Sequence, residues 1–375
     1  MAHLFITGAS GAIGSALIPR LLAMPGQRVT MLLRSASDAA MAERVDRMAR
    51  YWGLSSEALR DRVTAVRGDI RQPHLGLQPA QLAEIAESTT HVVHSAADVR
   101  LNMTPAEAHA SAVVPTQTLL DFARRAASNG MLCKVEVVST VGVWGRTPGN
   151  LPEAPVSSEA GFHNTYEAAK WEAEALILRE GQGLPITLHR PSMVVGDSAT
   201  GRASRFQVFY HLCEFLSGVR TFGIMPRFGP KRLDTVPVDW IASVICESLA
   251  RPEFTGRIFN LCSGPEDALP LSELQRIVRA TWASRGIRLP TLRVVNPRLL
   301  LGLIPGIKAV SGPRMRRALS ALPPVLEYLA EEQGFSNEQT LATLQPLGLA
   351  LPRPLSYLPA VLGYYLDHHA KGPAL

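Results

Sequence analysis

Short apolar runs of β period alternate with longer runs of helical period through the first half of the chain. The β-rich run from Leu4 to Thr7 ends in glycines and leads into the apolar-periodic stretch AIGSALIPRLLA. Four more such runs follow: RVTMLLRS, VTAVRGDI, THVVHSAADV and KVEVVSTVGVWG, spaced as strands of successive βα units. NTYEAAKWEAEA, at 164–175, reads as helix, and GLPITLHRPSMVVG reads as a sixth strand. This alternation predicts an α/β fold, a doubly wound parallel sheet with helices on both faces.

In such a sheet ligands sit at the carboxyl ends of the strands, so the residues found there carry the candidate chemistry. Gly8, Gly11 and Gly14 recur every third position directly after the first strand. A strand entering a helix through a glycine turn aims free N–H groups and the positive helix end at one point, and the missing Cβ atoms let a pyrophosphate approach. The second strand ends at Arg34, about twenty residues after the glycines, where NAD enzymes place a carboxylate for the ribose hydroxyl. A guanidinium suits a 2′-phosphate and so favours NADPH. The plainer reading is a surface arginine, and Asp38 lies a few residues on. The third strand ends in Gly68 and Asp69, the fourth in the small residues Ala96 and Ala97, and the fifth in Ser139 and Thr140.

Tyr166 and Lys170 are four positions apart and therefore share a helical face. Alone, such a pair reads as a core-edge aromatic and a solvated charge. Behind a glycine loop, and in the same βα unit as a strand-end hydroxyl, it forms a three-member site. An ammonium beside a phenol stabilises the phenolate, which predicts a Tyr166 pKa below its ordinary value. His94, on the fourth strand, is expected to be a core histidine.

The G-x-x-G-x-x-G spacing resembles the extended branch of the short-chain dehydrogenase/reductase superfamily. GDSATG at 196–201 is similar in particular to the thioester reductases and fatty acyl reductases of the male-sterility type. The resemblance spans most of the chain and is sharp to about residue 270. It implies a Thr140–Tyr166–Lys170 catalytic set, with Thr140 rather than Ser139 by counting back from Gly145. Thr140 would hydrogen-bond the reacting carbonyl, Tyr166 protonate it, and Lys170 also hold the nicotinamide ribose. The implied cofactor-binding residues are Gly8, Ser10, Gly11, Ala12, Ile13, Gly14, Arg34, Asp69, Ile70, Ser95, Ala96, Ala97, Lys170, Pro191 and Met193. One departure is the absence of the family's N-V-x-G-T: AVVPT places Ala112 and Pro115 where Asn and Gly fall, leaving the polar role absent or supplied by a group such as Ser111.

Composition narrows this picture. With 46% apolar and 19% charged residues in 375, the chain is globular rather than disordered. Cys133, Cys213, Cys246 and Cys262 form no C-x-x-C pair, so buried thiols are expected, with neither a disulfide framework nor a metal site. The net charge of +6 is scattered apart from local groups such as Arg314, Arg316 and Arg317, which argues against a nucleic-acid partner. The opening MAHLFITGAS leaves no room for a secretory leader, so a cytoplasmic location is expected.

The expected domains are a nucleotide-binding part, residues 1–200 with 233–263 returning to it, and a substrate-binding lid, residues 201–232 and 264–375. FQVFYHLCEFLSG (206–218) reads as an aromatic helix, either core or acyl channel. The greasy tail stretches 292–310, with Pro305, and 351–369 read as a lid; the sharper reading is contact with a membrane surface or an acyl carrier. The leading function is NADPH-dependent reduction of an acyl thioester, presented by CoA or an acyl carrier protein, to an aldehyde, with further reduction to an alcohol left open. The alternatives are a dehydrogenase or epimerase acting on a sterol, keto or nucleotide-sugar substrate, and a non-catalytic dinucleotide sensor.

Overall fold

The computed structural model describes residues 2–157, 160–295, 312, 333–372 and 374–375. Seven strands, β1 (His3–Thr7), β2 (Arg28–Leu33), β3 (Val63–Arg67), β4 (His91–His94), β5 (Lys134–Val138), β6 (Ile186–Pro191) and β7 (Ile258–Leu261), form one sheet in the order β7-β6-β5-β4-β1-β2-β3. Every pairing is parallel. This is the doubly wound sheet that the pattern predicts, and its order reverses between β1 and β4, which opens a crevice at their carboxyl ends.

Both faces of the sheet are covered, so its strands are apolar almost throughout. Leu4 and Ile6 point to the side of α1 (Ala12–Ala23), α2 (Asp38–Trp52) and α7 (Val238–Leu249), where they join Leu17, Met48 and Ile241 in one buried cluster. Phe5, between them, points to the other side. There it meets residues of α3 (Pro79–Ser88), α4 (Pro105–Ala127) and α5 (Thr165–Glu180), including Leu82, Leu119 and Leu176. The period-2 alternation thus feeds two cores at once.

A second, helical layer stands over the crevice. It is built from α6 (Val208–Leu216), α8 (Leu271–Ser284) and α9 (Pro354–His368), which share a core of Phe209, Leu212, Leu274, Val278, Leu358 and Leu362. It is tied to the sheet side by the short strand Met193–Val195, paired with Thr235–Pro237, and by the Tyr357 hydroxyl on the Thr235 carbonyl (2.8 Å).

Part of the tail assigned above to the lid lies instead against the nucleotide-binding layer. Gln333–Phe335 pairs in parallel with Gly149–Leu151. The Glu153 carboxylate accepts the N–H groups of Gln339 (2.8 Å) and Thr340 (3.1 Å), which secures the helix Glu338–Leu344 that follows. Leu344 is buried in the same core as α1 and α7, and the Trp240 indole donates to the Leu349 carbonyl (3.2 Å). A three-residue pairing across such a sequence separation leaves no periodic signal. Residues 296–310, with Pro305, and Arg314, Arg316 and Arg317 lie outside the described residues. Among the described residues no helix is long and apolar enough to cross a membrane. Three cysteines are buried thiols as expected, but Cys133, in the loop before β5, is exposed.

Candidate active site

The crevice contains a cavity of about 690 Å³. Its wall includes Gly8, Ser10, Gly11, Ala12, Ile13, Arg34, Asp69, Ile70, Ser95, Ala96, Ala97, Pro191 and Met193, together with Thr140, Tyr166 and Lys170. Gly14 is the exception. It lies behind the loop, where a Cβ would come within 2.3 Å of the Gly8 carbonyl oxygen, so it sets the packing of α1 on β1 and does not line the cavity. Gly8 has φ +79°, and a Cβ there would lie 2.5 Å from the Ala96 nitrogen. Only glycine allows β1 and β4 to end this close together.

The wall fits a dinucleotide phosphate. Gly11 precedes α1, whose amino end opens on the cavity without a side-chain cap. Arg34 is joined by Arg44 of α2, which the sequence reading missed. Arg44 donates to the Arg34 carbonyl (2.6 Å) and to the Ser10 hydroxyl (2.7 Å). Burial, and then Arg205, Arg34 and Arg47 beside it, push Arg44 below the ordinary arginine value. Such a gathering of like charges favours an anion among them. The signal that marks Arg44 is its place on the inward stripe of α2, three residues after buried Met41 and four before buried Met48. Asp38 turns away: it pairs with Arg67 at 3.3 Å, with its own side chain 93% exposed.

The helix α5 begins where Asn164 accepts the Glu167 N–H (3.0 Å), and Tyr166 and Lys170 on it line the crevice. Thr140 begins the turn after β5. Its hydroxyl oxygen accepts the Gly142 N–H (3.1 Å), and the hydroxyl stands beside the Tyr166 phenol. Neighbouring Ser139 is engaged elsewhere, donating to Glu174 (2.7 Å). Glu174 is locked to the fully buried Arg190, which also donates to the Ala154 carbonyl (2.9 Å).

The expected electrostatics of the pair are overturned. Tyr166 is pushed up to about 12, by burial first and by the Glu167 carboxylate second, against a lowering from Thr140. Lys170 is pushed down to about 8 by burial, opposed by Glu174, and donates to the Val138 carbonyl (2.9 Å). Desolvation disfavours the charged form of both groups, and Lys170 is not among the groups that lower the phenol, so the phenol keeps its proton. His94 is a neutral core histidine, pushed down to about 3 by burial and then by Lys170, with Nδ1 2.7 Å from the Thr7 hydroxyl.

Where the family's Asn and Gly fall, Ala112 is buried and Pro115 lines the cavity inside α4. Ser111 also lines the cavity and donates to the Ala108 carbonyl (2.9 Å). The helical layer contributes a further wall that sequence reasoning left unresolved, made of Phe206, Val208, Phe209, Leu212 and Leu233, with Arg205 and Gln207 among them.

A doubly wound parallel sheet with glycines, a strand-end Thr and a Tyr/Lys helix on one cavity defines an NAD(P)-dependent oxidoreductase of the extended short-chain dehydrogenase/reductase type. More narrowly, residues 6–245 match the NAD-binding male sterility protein family, and the chain belongs to it. It is 31% identical over 266 residues to the isonitrile lipopeptide synthase of Streptomyces coeruleorubidus, a match covering 70% of this chain and 18% of that protein. The chain spans 18–26% of the length of these curated relatives. Among solved structures, the terminal R domain from the myxalamid PKS-NRPS biosynthetic pathway superposes with a TM-score of 0.82 at 25% identity, over 98% of this chain and 91% of that one. A thiolation-reductase di-domain from an archaeal non-ribosomal peptide synthetase shares the fold, with a TM-score of 0.77 at 18% identity over 99% and 76% of the two chains.

Proposed function

We propose that this chain is an NADPH-dependent reductase of an acyl thioester that releases the acyl group as an aldehyde, with the aldehyde-to-alcohol step open to the same site. The observation that carries the reading is the meeting, in one cavity, of the Thr140–Tyr166–Lys170 set with the apolar wall of Phe206, Val208, Phe209 and Leu212. The names of the relatives agree: they include an isonitrile lipopeptide synthase, an aldehyde reductase and a thiolation-reductase di-domain of a non-ribosomal peptide synthetase. The pairing of a thiolation with a reductase domain in that relative supports a carrier protein as the acyl donor, with CoA as the second candidate. Arg34 and Arg44, with Ser10, are the residues that would hold the 2′-phosphate that separates NADPH from NADH.

When bound, the nicotinamide supplies hydride to the thioester carbon. Thr140 and Tyr166 direct their hydroxyls at the carbonyl oxygen and stabilise the charge that develops there. Tyr166, held protonated by its surroundings, gives its proton to that oxygen. Lys170, released from the Val138 carbonyl, is placed to hold the cofactor ribose and to resupply the phenol. Collapse of the tetrahedral adduct then expels the thiol. The helical layer excludes water, so that the acyl group is reduced rather than hydrolysed.

The test follows NADPH absorbance with an acyl-CoA series and an acyl-loaded carrier protein, and identifies the product. Free thiol equal in amount to aldehyde and alcohol together is expected. Turnover of sterol, keto or nucleotide-sugar substrates with none on thioesters would overturn the reading, and cofactor binding without any turnover would make the chain a sensor.

A further inference from the structure

Glu167 follows the catalytic tyrosine directly in sequence and is almost wholly buried, yet the chemistry above does not use it. It touches the cavity wall. Its carboxylate is held on one oxygen by His163, through the backbone N–H (2.9 Å) and the ring Nδ1 (3.0 Å). Both side chains are excluded from solvent, at 2% and 3% exposure, so the charge is not screened as a surface charge would be.

The stem of Glu167 rests on the turn that carries Thr140. A Cβ built on Gly142 would lie 3.3 Å from the Glu167 Cγ and 3.4 Å from the Thr140 hydroxyl oxygen. The Gly142 N–H is also the group that fixes that hydroxyl, at 3.1 Å. Glu167 therefore stands where the turn bearing one catalytic hydroxyl meets the helix bearing the other. The charged and titratable groups around this corner are Glu167, Lys170 and Glu174 of α5, His163 of the preceding loop, His94 of β4 and Arg190 of β6.

We propose that Glu167 is a positioning residue: held by His163, it seats the Thr140–Gly142 turn against the helix that bears Tyr166 and sets a buried carboxylate on the cavity wall that the phenol shares. The proposal rests on the reading that Tyr166 protonates a carbonyl, but not on which carbonyl is reduced. A Glu in the first turn of a helix also serves the helix itself, by satisfying N–H groups and meeting the positive end. That role alone affects stability and leaves the titration of Tyr166 in place, and this difference is what the experiment reads.

The measurement is the pH profile of kcat for the full chain with NADPH, in Glu167→Gln and Glu167→Asp. Gln keeps the shape and removes the charge. The alkaline limb, where Tyr166 loses its proton, should move down by about one pH unit, a tenfold change in the proton equilibrium. Asp keeps the charge and shortens the prop, so kcat should fall about tenfold with the limb and the NADPH affinity unmoved. An unmoved limb in folded Glu167→Gln protein overturns the electrostatic part, and a normal kcat in Glu167→Asp overturns the seating of the turn. If Gln unfolds the chain, the Asp variant still decides. If wild type leaves thioesters untouched but reduces an aldehyde, the thioester reading fails and the profile is taken on the aldehyde. If it reduces neither, the tyrosinate absorbance that Tyr166→Phe lacks reports the same shift directly, and its absence in Glu167→Gln refutes the proposal.

Discussion

Replacing Arg44 with glutamine deletes one guanidinium from the group it forms with Arg34, Arg47 and Arg205 and tests the phosphate reading most directly. The guanidinium has five donors, of which one goes to the Arg34 carbonyl and one to Ser10, so the rest are available to an anion. Hydrogen bonds to a charged group contribute about 1.5–3 kcal/mol, which at 1.4 kcal/mol per tenfold corresponds to NADPH binding weakened by roughly 10- to 150-fold. The two bonds to the loop serve both cofactors. Both lie outside the phosphate contact, so their loss should act alike on the two cofactors, and about 1 kcal/mol of it reaching NADH binding corresponds to a weakening of about fivefold. Burial and three like charges already disfavour the Arg44 cation, so its removal should leave the melting temperature of the cofactor-free protein unchanged or slightly raised. The assay is titration of both cofactors by nucleotide fluorescence at low and moderate salt, where the difference between variants in NADPH affinity should shrink as salt rises. An equal loss for NADPH and NADH would refute the assignment of Arg44 to a phosphate.

Tyr166→Phe should abolish turnover, by at least a hundredfold, while NADPH affinity stays within about twofold; near-normal rates would remove the phenol from the reaction. Glu174→Gln leaves Arg190 as an uncompensated buried charge and should cost about 3–5 kcal/mol in urea unfolding, with most of it regained in the double variant Glu174→Leu/Arg190→Met; a loss below about 1 kcal/mol would contradict the burial of the pair. Burial lowers Lys170 from 10.5 to about 8, so between those values the unfolded chain binds a proton that the folded chain has released. The stability of the cofactor-free protein should therefore rise with pH across that window, with up to about 3 kcal/mol from this group, and Lys170→Met should flatten that part of the curve. A curve unchanged by the substitution would mean that Lys170 titrates as a solvated amine.

Much of the fold, and the residues that meet on the cavity, are written in local pattern. A buried parallel strand is apolar on both faces, a glycine turn must follow β1 if a phosphate is to approach, and two side chains four apart share a helical face whatever lies around them. These are short-range constraints, and so Gly8, Thr140, Tyr166 and Lys170 are legible in order along the chain. Tertiary structure decided what depends on distances between residues far apart in sequence. It placed Arg44 beside Ser10 and Arg34, drew 333–351 onto the nucleotide-binding layer through Glu153 and Trp240, and moved Gly14 behind the loop it was expected to line. It also reversed the electrostatics of the catalytic pair, because the sign of a pKa shift is set by how much water and which charges surround a group. The sequence names Tyr166 and Lys170 as neighbours, but only burial, with Glu167 beside the phenol, makes one a stronger holder of its proton and the other, against the charge of Glu174, a weaker one.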